Sequence, residues 1–105
     1  MKKQDIDYLI YSLTSFKSCA IQNAAISGGL SQNFQIRFDE IKQATDRSRL
    51  SPTVIDEYIN FMKQQGCDAY SDQLSCIIVE VDLNKVLLTP NEAHNLSTSL
   101  TSFNC

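Results

Sequence analysis

Hydrophobic residues recur at three- and four-residue spacing between Ser51 and Gly66, which is the pattern of one helical face. Ser51 is a preferred N-cap residue, and Pro52 suits the first helical position, where no N–H donor is needed. Gly66 suits the left-handed position that follows a last helical turn. The sequence therefore predicts a helix between these signals, with the following residues on its buried face: Ile55, Tyr58, Ile59 and Met62.

The hydrophobic pattern changes to strand-like alternation after Gly66. Residues 67–70 form a short candidate strand, 71–73 have turn composition, and 74–83 contain a β-branched run. In that run Ile77, Val79 and Val81 would share one face, with Cys76, Ile78 and Glu80 on the other. Apolar residues on both faces predict a central strand. Residues 86–88 are a candidate third strand.

The last helix is predicted from its N-terminal signal. Thr89, Pro90 and Glu92 form a capping box with proline at the first helical position. The residues that follow at helical spacing on one face are Ala93, Leu96, Leu100 and Phe103.

The first helix is predicted to begin near Asp5, which can cap it, and to end at Gly28 and Gly29. Its apolar stripe consists of Ile6, Leu9, Ile10, Leu13, Phe16, Ala20 and Ala24. Such a helix is about 35 Å long, which exceeds what a domain of this size readily covers. It either bends near Ser18 or offers one end to a partner.

Residues 32–47 fit two patterns. Phe34, Phe38 and Ile41 have helical spacing, whereas residues 34–38 also alternate as a strand does. The helix is the preferred interpretation. The whole pattern predicts one α+β domain over residues 1–105, with about four helices packed on a two- or three-stranded antiparallel sheet in the order α-α-α-β-β-(β)-α.

Length and composition agree with one small domain. The chain has 105 residues, of which 43% are hydrophobic, enough for a single core. No apolar run approaches the roughly 18 residues that a membrane helix requires. Lys2 and Lys3 precede an apolar stretch as in a secretion signal, but Asp5, Asp7 and Lys17 interrupt it. A cytoplasmic protein is expected.

Charge is distributed unevenly along the chain. Residues 1–53 contain seven Lys or Arg and five Asp or Glu, whereas residues 54–105 contain two and seven, so the halves carry +2 and −5. The acidic half suits either a basic partner or plain solvation. The basic residues Lys42, Arg47 and Arg49 are few and are flanked by acids, so they indicate a nucleic-acid surface only weakly.

Four cysteines raise the question of a disulfide. If residues 71–72 were a two-residue hairpin loop, Cys67 would lie opposite Cys76 in a closely spaced pair that a bridge can span. A longer loop would shift the register and separate them. Reduced thiols are the preferred interpretation, and Cys19 and Cys105 have no evident partner.

The sequence contains no recognisable signature of catalysis, metal binding or cofactor binding. The single histidine, His94, has no neighbouring metal-ligand or triad pattern, and Gly28-Gly29 lacks the context of a phosphate loop. Neighbouring carboxylates such as Asp56 and Glu57 point about 100° apart on a helix and do not converge. No metal, no cofactor and no enzymatic activity are therefore expected.

The remaining indication of function is a surplus of aromatic and apolar residues beside the predicted core faces. Such groups either widen the core or suit a protein interface. The candidate partner-binding residues are Val54, Tyr58, Phe61, Tyr8 and Tyr11.

We expect a non-catalytic protein that binds a protein partner as an inhibitor, adaptor or regulatory subunit, of the kind found among accessory proteins of phages and other mobile elements. A homodimer formed through the first helix is compatible with this interpretation. The alternatives are a nucleic-acid-binding regulator that uses the basic cluster and, less favoured, a small enzyme.

Overall fold

The computed structural model describes residues 1–104, with side chains described as far as residue 101. The structure has four helices and a three-stranded antiparallel sheet with helices packed on one of its faces, which confirms the predicted fold class. In chain order the elements are α1 (Lys3–Ser27), β1 (Ser31–Arg37), α2 (Phe38–Thr45), α3 (Pro52–Gln64), β2 (Asp68–Ser71), β3 (Cys76–Asp82) and α4 (Pro90–Asn104).

The sheet has the strand order β1-β3-β2, so β3 is central, as its composition predicts. Ile77, Val79 and Val81 are buried on the face that the helices cover. The opposite face is open to solvent: Glu80 is exposed and Ile78 is half-buried. One sheet face therefore forms the core and the other forms part of the surface.

The third strand is not where the sequence placed it. Residues 86–88 are irregular, and the strand is supplied by residues 31–37. The preference for a helix over residues 32–47 is wrong for this segment and correct only from Phe38 onward. Strand alternation prevails because Phe34 and Ile36 pair with Val79 and Ile77, far away in the chain.

The predicted ends of α3 are confirmed. The amide of Val54 donates to the Ser51 hydroxyl at 3.3 Å, and Pro52 is the first helical residue. Gly66 has a φ of 87°, a conformation that residues with a Cβ rarely adopt. A Cβ at Gly66 would also lie 3.0 Å from the Cα of Val86 and closer still to the Lys85 carbonyl oxygen. The glycine is thus required both for the turn and for the chain that crosses it.

The capping box of α4 is likewise confirmed. The Glu92 carboxylate accepts from the Thr89 amide at 2.9 Å, and the Thr89 hydroxyl accepts from the Glu92 amide at 3.2 Å. Leu96 and Leu100 pack against the core, whereas Ala93 is exposed. The side chain of Phe103 lies outside the described residues.

Helix α1 has 25 residues and is one continuous helix, about 37 Å long. Asp5 does not precede it as an N-cap; it lies in the first turn and accepts from the Lys2 amide at 2.9 Å. The seven residues of β1 or β3 span only about 23 Å, so the sheet is shorter than the helix above it.

The β2–β3 hairpin has a longer loop than the two residues considered above. Ser71 pairs with Ile77, which leaves residues 72–76 outside the ladder between β2 and β3. The Asp72 carboxylate accepts from the amides of Leu74 and Ser75, both at 2.9 Å, and organises the loop. Cys67 and Cys76 are consequently not opposite each other, and both are free thiols, as is Cys19. Cys105 lies outside the described residues.

Candidate functional site

The five predicted partner-binding residues have different environments. Tyr58 is 1% exposed and belongs to the core, so it offers no surface to a partner in this structure. Tyr8, Val54 and Phe61 are half-buried against the core. Tyr11 is 71% exposed. Of the five side chains, only that of Tyr11 projects fully into solvent.

The buried hydroxyl of Tyr58 belongs to a polar network around Asp5. The Asp5 Oδ1 accepts from the Tyr58 hydroxyl at 2.6 Å and from Arg47 Nε at 3.1 Å. The Oδ2 accepts from Arg47 Nη2 at 2.6 Å and from the Lys2 amide at 2.9 Å. Each oxygen of this buried carboxylate therefore has two donors, and the contacts join α1, α3 and the segment after α2.

The network fixes the ionisation of its members. Burial by itself raises the pKa of Asp5, but the hydrogen bonds from Arg47, Tyr58 and Lys2 and the Arg47 charge outweigh it, and the pKa falls to about 2. Burial and the hydrogen bond to the Asp5 carboxylate raise the pKa of Tyr58 well above its ordinary value. The carboxylate stays charged and the phenol stays protonated at neutral pH, which suits a structural clasp.

Two residues of α1 that the sequence predicts in the core are exposed. Ile6 is 39% exposed and Ile10 is 51% exposed, although both fit the predicted apolar stripe. In this first part of the helix the buried residues are Asp5, Leu9, Ser12 and Leu13, so the buried side is centred nearer to Asp5 than the predicted stripe is. Ile6 and Ile10 are one turn apart on the same side of the helix, and Tyr11 lies about 100° around the helix from Ile10. We call Ile6, Ile10 and Tyr11 the α1 surface.

Helix α3 reaches the first turn of α1 through Tyr58. Val54, Tyr58 and Phe61 are spaced to form one stripe along α3. Because Tyr58 bonds to Asp5, that stripe approaches the first turn of α1, directly before Ile6. Tyr58 is the residue of this stripe that contacts α1, and Val54 and Phe61 lie one turn to either side of it along α3. The sequence feature that could have indicated the buried side of α1 is Asp5, a carboxylate next to an apolar pattern.

The basic cluster does not form a cationic surface. Arg47 is engaged by Asp5 through two hydrogen bonds and is largely buried. Lys42 is half-buried, which leaves Arg49 as the exposed member of the three. The indication of nucleic-acid binding is correspondingly weaker than in the sequence.

A groove of about 450 Å³ lies between α1 and α4. It is lined mostly by hydroxyl and amide side chains, and at one end by Glu92, whose carboxylate accepts from the Lys17 ammonium at 2.8 Å. This ion pair is largely buried and is completed by the bond from Lys17 to the Leu87 carbonyl at 3.2 Å. The charged groups of the groove thus have partners within the fold.

Other chemistry-bearing residues are dispersed. His94 is exposed, whereas Cys67 is buried, and its burial raises the pKa of the thiol to about 11. Within residues 1–101, no three His, Cys, Asp or Glu side chains converge as metal ligands would. Among the described helices, none is long and apolar enough to cross a membrane.

No protein-family model matches this sequence, and comparisons with curated proteins and with solved structures find no significant match.

Proposed function

We propose that this protein acts without catalysis, by binding a protein partner through the α1 surface as an inhibitor, adaptor or regulatory subunit in the cytoplasm. The observation that carries the proposal is the exposure of Ile6, Ile10 and Tyr11 together on one end of a helix. Grouped apolar side chains on a surface favour association because their burial releases water. Tyr8, Val54 and Phe61 form the margin of the site, since each keeps part of its surface accessible.

The partner surface is expected to be apolar where it meets Ile6, Ile10 and Tyr11. A tyrosine and two isoleucines bury large area at small entropic cost, while Lys3 lies exposed before them and Asp7 lies exposed between Ile10 and Tyr11. We also propose that the protein is an accessory protein of a phage or another mobile element, because one small domain can act by occupying part of a larger protein's surface.

The test is affinity capture from the lysate of the source organism with three baits: the unaltered protein, Ile10→Lys and Leu74→Lys. We expect Ile10→Lys to weaken retention of the partner at least tenfold, because a charge replaces an apolar contact worth about 1.5–3 kcal/mol. Leu74→Lys is the matched control, since Leu74 is 86% exposed at the hairpin loop, away from α1. Quantitative mass spectrometry of the retained proteins provides the measurement.

Proteins retained equally by all three baits would contradict the proposed site, and the absence of any specifically retained protein would contradict partner binding in this lysate. Both lysine variants should melt within a few degrees of the unaltered protein because both positions are exposed. Phe61→Ser is less informative, since Phe61 also packs against the core and its loss would lower stability together with binding.

A further inference from the structure

The outer edge of β1 carries backbone groups with no partner among the described residues. The Leu83 amide donates to the Leu30 carbonyl at 2.8 Å, and the Phe38 amide donates to the Ser75 carbonyl at 2.9 Å. These contacts show that every second residue of β1 hydrogen-bonds to β3 through its backbone. The residues between them direct their N–H and C=O groups away from β3, toward the open edge of the sheet. The outward-directed residues are Ser31, Asn33, Gln35 and Arg37, all exposed.

The two edges of the sheet differ in protection. Strand β2 has four residues and carries Asp68, so it is short and charged, as edge strands usually are. Strand β1 has seven residues and contains no lysine or proline; its one charge, Arg37, lies at its end. A long strand of this composition leaves its edge open to pairing with another strand.

We propose that β1 pairs with β1 of a second copy of this chain, antiparallel about a two-fold axis at Phe34, to give a continuous six-stranded sheet. In this register Asn33 faces Gln35 of the second copy, and Ser31 faces Arg37. These are the residues whose backbone groups point outward, so each pair exchanges two hydrogen bonds. Phe34 lies opposite its own copy at the closely spaced position.

The side chains favour a second copy as the occupant. The Asn33 and Gln35 amides can hydrogen-bond to each other across the new ladder. Arg37 lies next to Ser31 of the second copy, whose neighbour on β3 is Asp82, so opposite charges approach and no like charges face each other. The side chains of β1 thus match those of a second β1 along the whole strand, and for this reason we propose a second copy as the occupant.

An apolar surface continues beneath the proposed ladder. Phe34 is half-buried and stacks on Phe16 of α1, with ring centroids 4.5 Å apart. Two copies would bring both ring pairs together at the axis and remove their remaining surface from water. The α1 surface is not used, so this inference does not depend on the proposed partner binding.

The test is the solution mass of the full chain by sedimentation equilibrium, against a protomer mass of 11.8 kDa. We expect the unaltered protein to have twice the protomer mass, and Gln35→Pro to raise the dissociation constant at least tenfold. Proline removes one outward N–H and none of the hydrogen bonds to β3. Gln35→Thr retains that N–H and is the matched control, which should remain dimeric.

A second variant covers the case in which Gln35→Pro does not fold. Asn33→Lys combined with Gln35→Lys keeps the backbone intact and places four like charges at the axis, so it should be monomeric with an unchanged circular dichroism spectrum. An unaltered protein that stays monomeric up to millimolar concentration would overturn the proposal. So would a dimer that survives the double lysine variant but dissociates in Ile10→Lys, since that result assigns the interface to the α1 surface.

Discussion

Replacing Asp5 with asparagine should lower the free energy of unfolding by about 3–5 kcal/mol, the usual cost of breaking a buried ion pair by removing one partner. The buried carboxylate accepts four hydrogen bonds, two on each oxygen. An asparagine keeps only one of the two acceptor oxygens. Its NH2 group replaces the other and faces hydrogen-bond donors, which are Arg47 and Tyr58 in one orientation of the amide and Arg47 and Lys2 in the other. Chemical denaturation followed by circular dichroism measures the change.

The matched control is Asp7→Asn, because Asp7 is exposed on the same helix two residues away. Its effect should stay within about 0.5 kcal/mol, as for surface substitutions generally. Equal losses in the two variants would show that the Asp5 network contributes no more than a surface charge. Since domains of this kind are stable by only about 5–15 kcal/mol, the expected loss removes a large part of the total.

The same carboxylate should contribute an acid-dependent part of the stability. Its pKa is about 2 in the folded chain against 3.8 for the ordinary group, so the contribution is present above about pH 4 and is lost as the pH falls toward 2. The difference in pKa corresponds to about 2 kcal/mol.

We therefore expect the stability difference between the unaltered protein and Asp5→Asn to shrink by about that amount between pH 5 and pH 2. Denaturation of both proteins at several pH values measures it. Asp72 and Glu92 also have lowered pKa values, but they are present in both proteins and cancel in the comparison. A difference independent of pH would contradict the assignment to Asp5.

Replacing Gly66 with alanine should lower the free energy of unfolding by about 2–4 kcal/mol. The φ of 87° is strained for a residue with a Cβ, and the added methyl group meets the backbone of Lys85 and Val86, which cannot move aside as a side chain does. The Leu87 amide donates to the Gln65 carbonyl at 2.9 Å directly beside this contact. A thermal midpoint lower by about 10–20 °C is expected.

Gly29→Ala is the matched control for this substitution. A Cβ at Gly29 would approach side chains only, the nearest being the Ser27 hydroxyl at 3.3 Å. The midpoint should change by no more than a few degrees. Equal thermal midpoints for the two alanine variants would show that the close approach of residues 85–86 to Gly66 does not affect stability.

The parts of the fold that sequence reasoning predicted correctly are those whose signals are local. Ser51, Pro52 and Gly66 bound α3 through contacts within a few residues, and Thr89 and Glu92 do the same for α4. The strand over residues 31–37 was missed because its partner, β3, lies far along the chain. Local periodicity cannot weigh a pairing at that distance.

The candidate site shows the same division. The sequence predicts Tyr58 both on the buried face of α3 and among the partner-binding residues. It is buried, and its hydroxyl bonds to Asp5, fifty-three residues earlier. Ile6 and Ile10 looked like core residues, and their exposure follows from the rotation of α1 that brings Asp5 inside. The burial of Asp5 thus accounts for the two wrong core assignments in α1 and supplies the partner of the buried Tyr58 hydroxyl. Arg47, which bonds to Asp5, belongs to no local sequence motif that indicates a buried ion pair.

The position of β1 in the chain has a consequence for the order of folding. Strands β2 and β3 are joined by a short loop, whereas Arg37 pairs with Cys76 and closes a segment that contains α2, α3 and β2. The longer closure costs about 2 kcal/mol more in chain entropy. The unit of α3, β2 and β3 is therefore expected to form first and to wait with one side of β3 unpaired. During that interval β1 of any copy can fill the gap, so concentrated refolding would exchange this strand between chains.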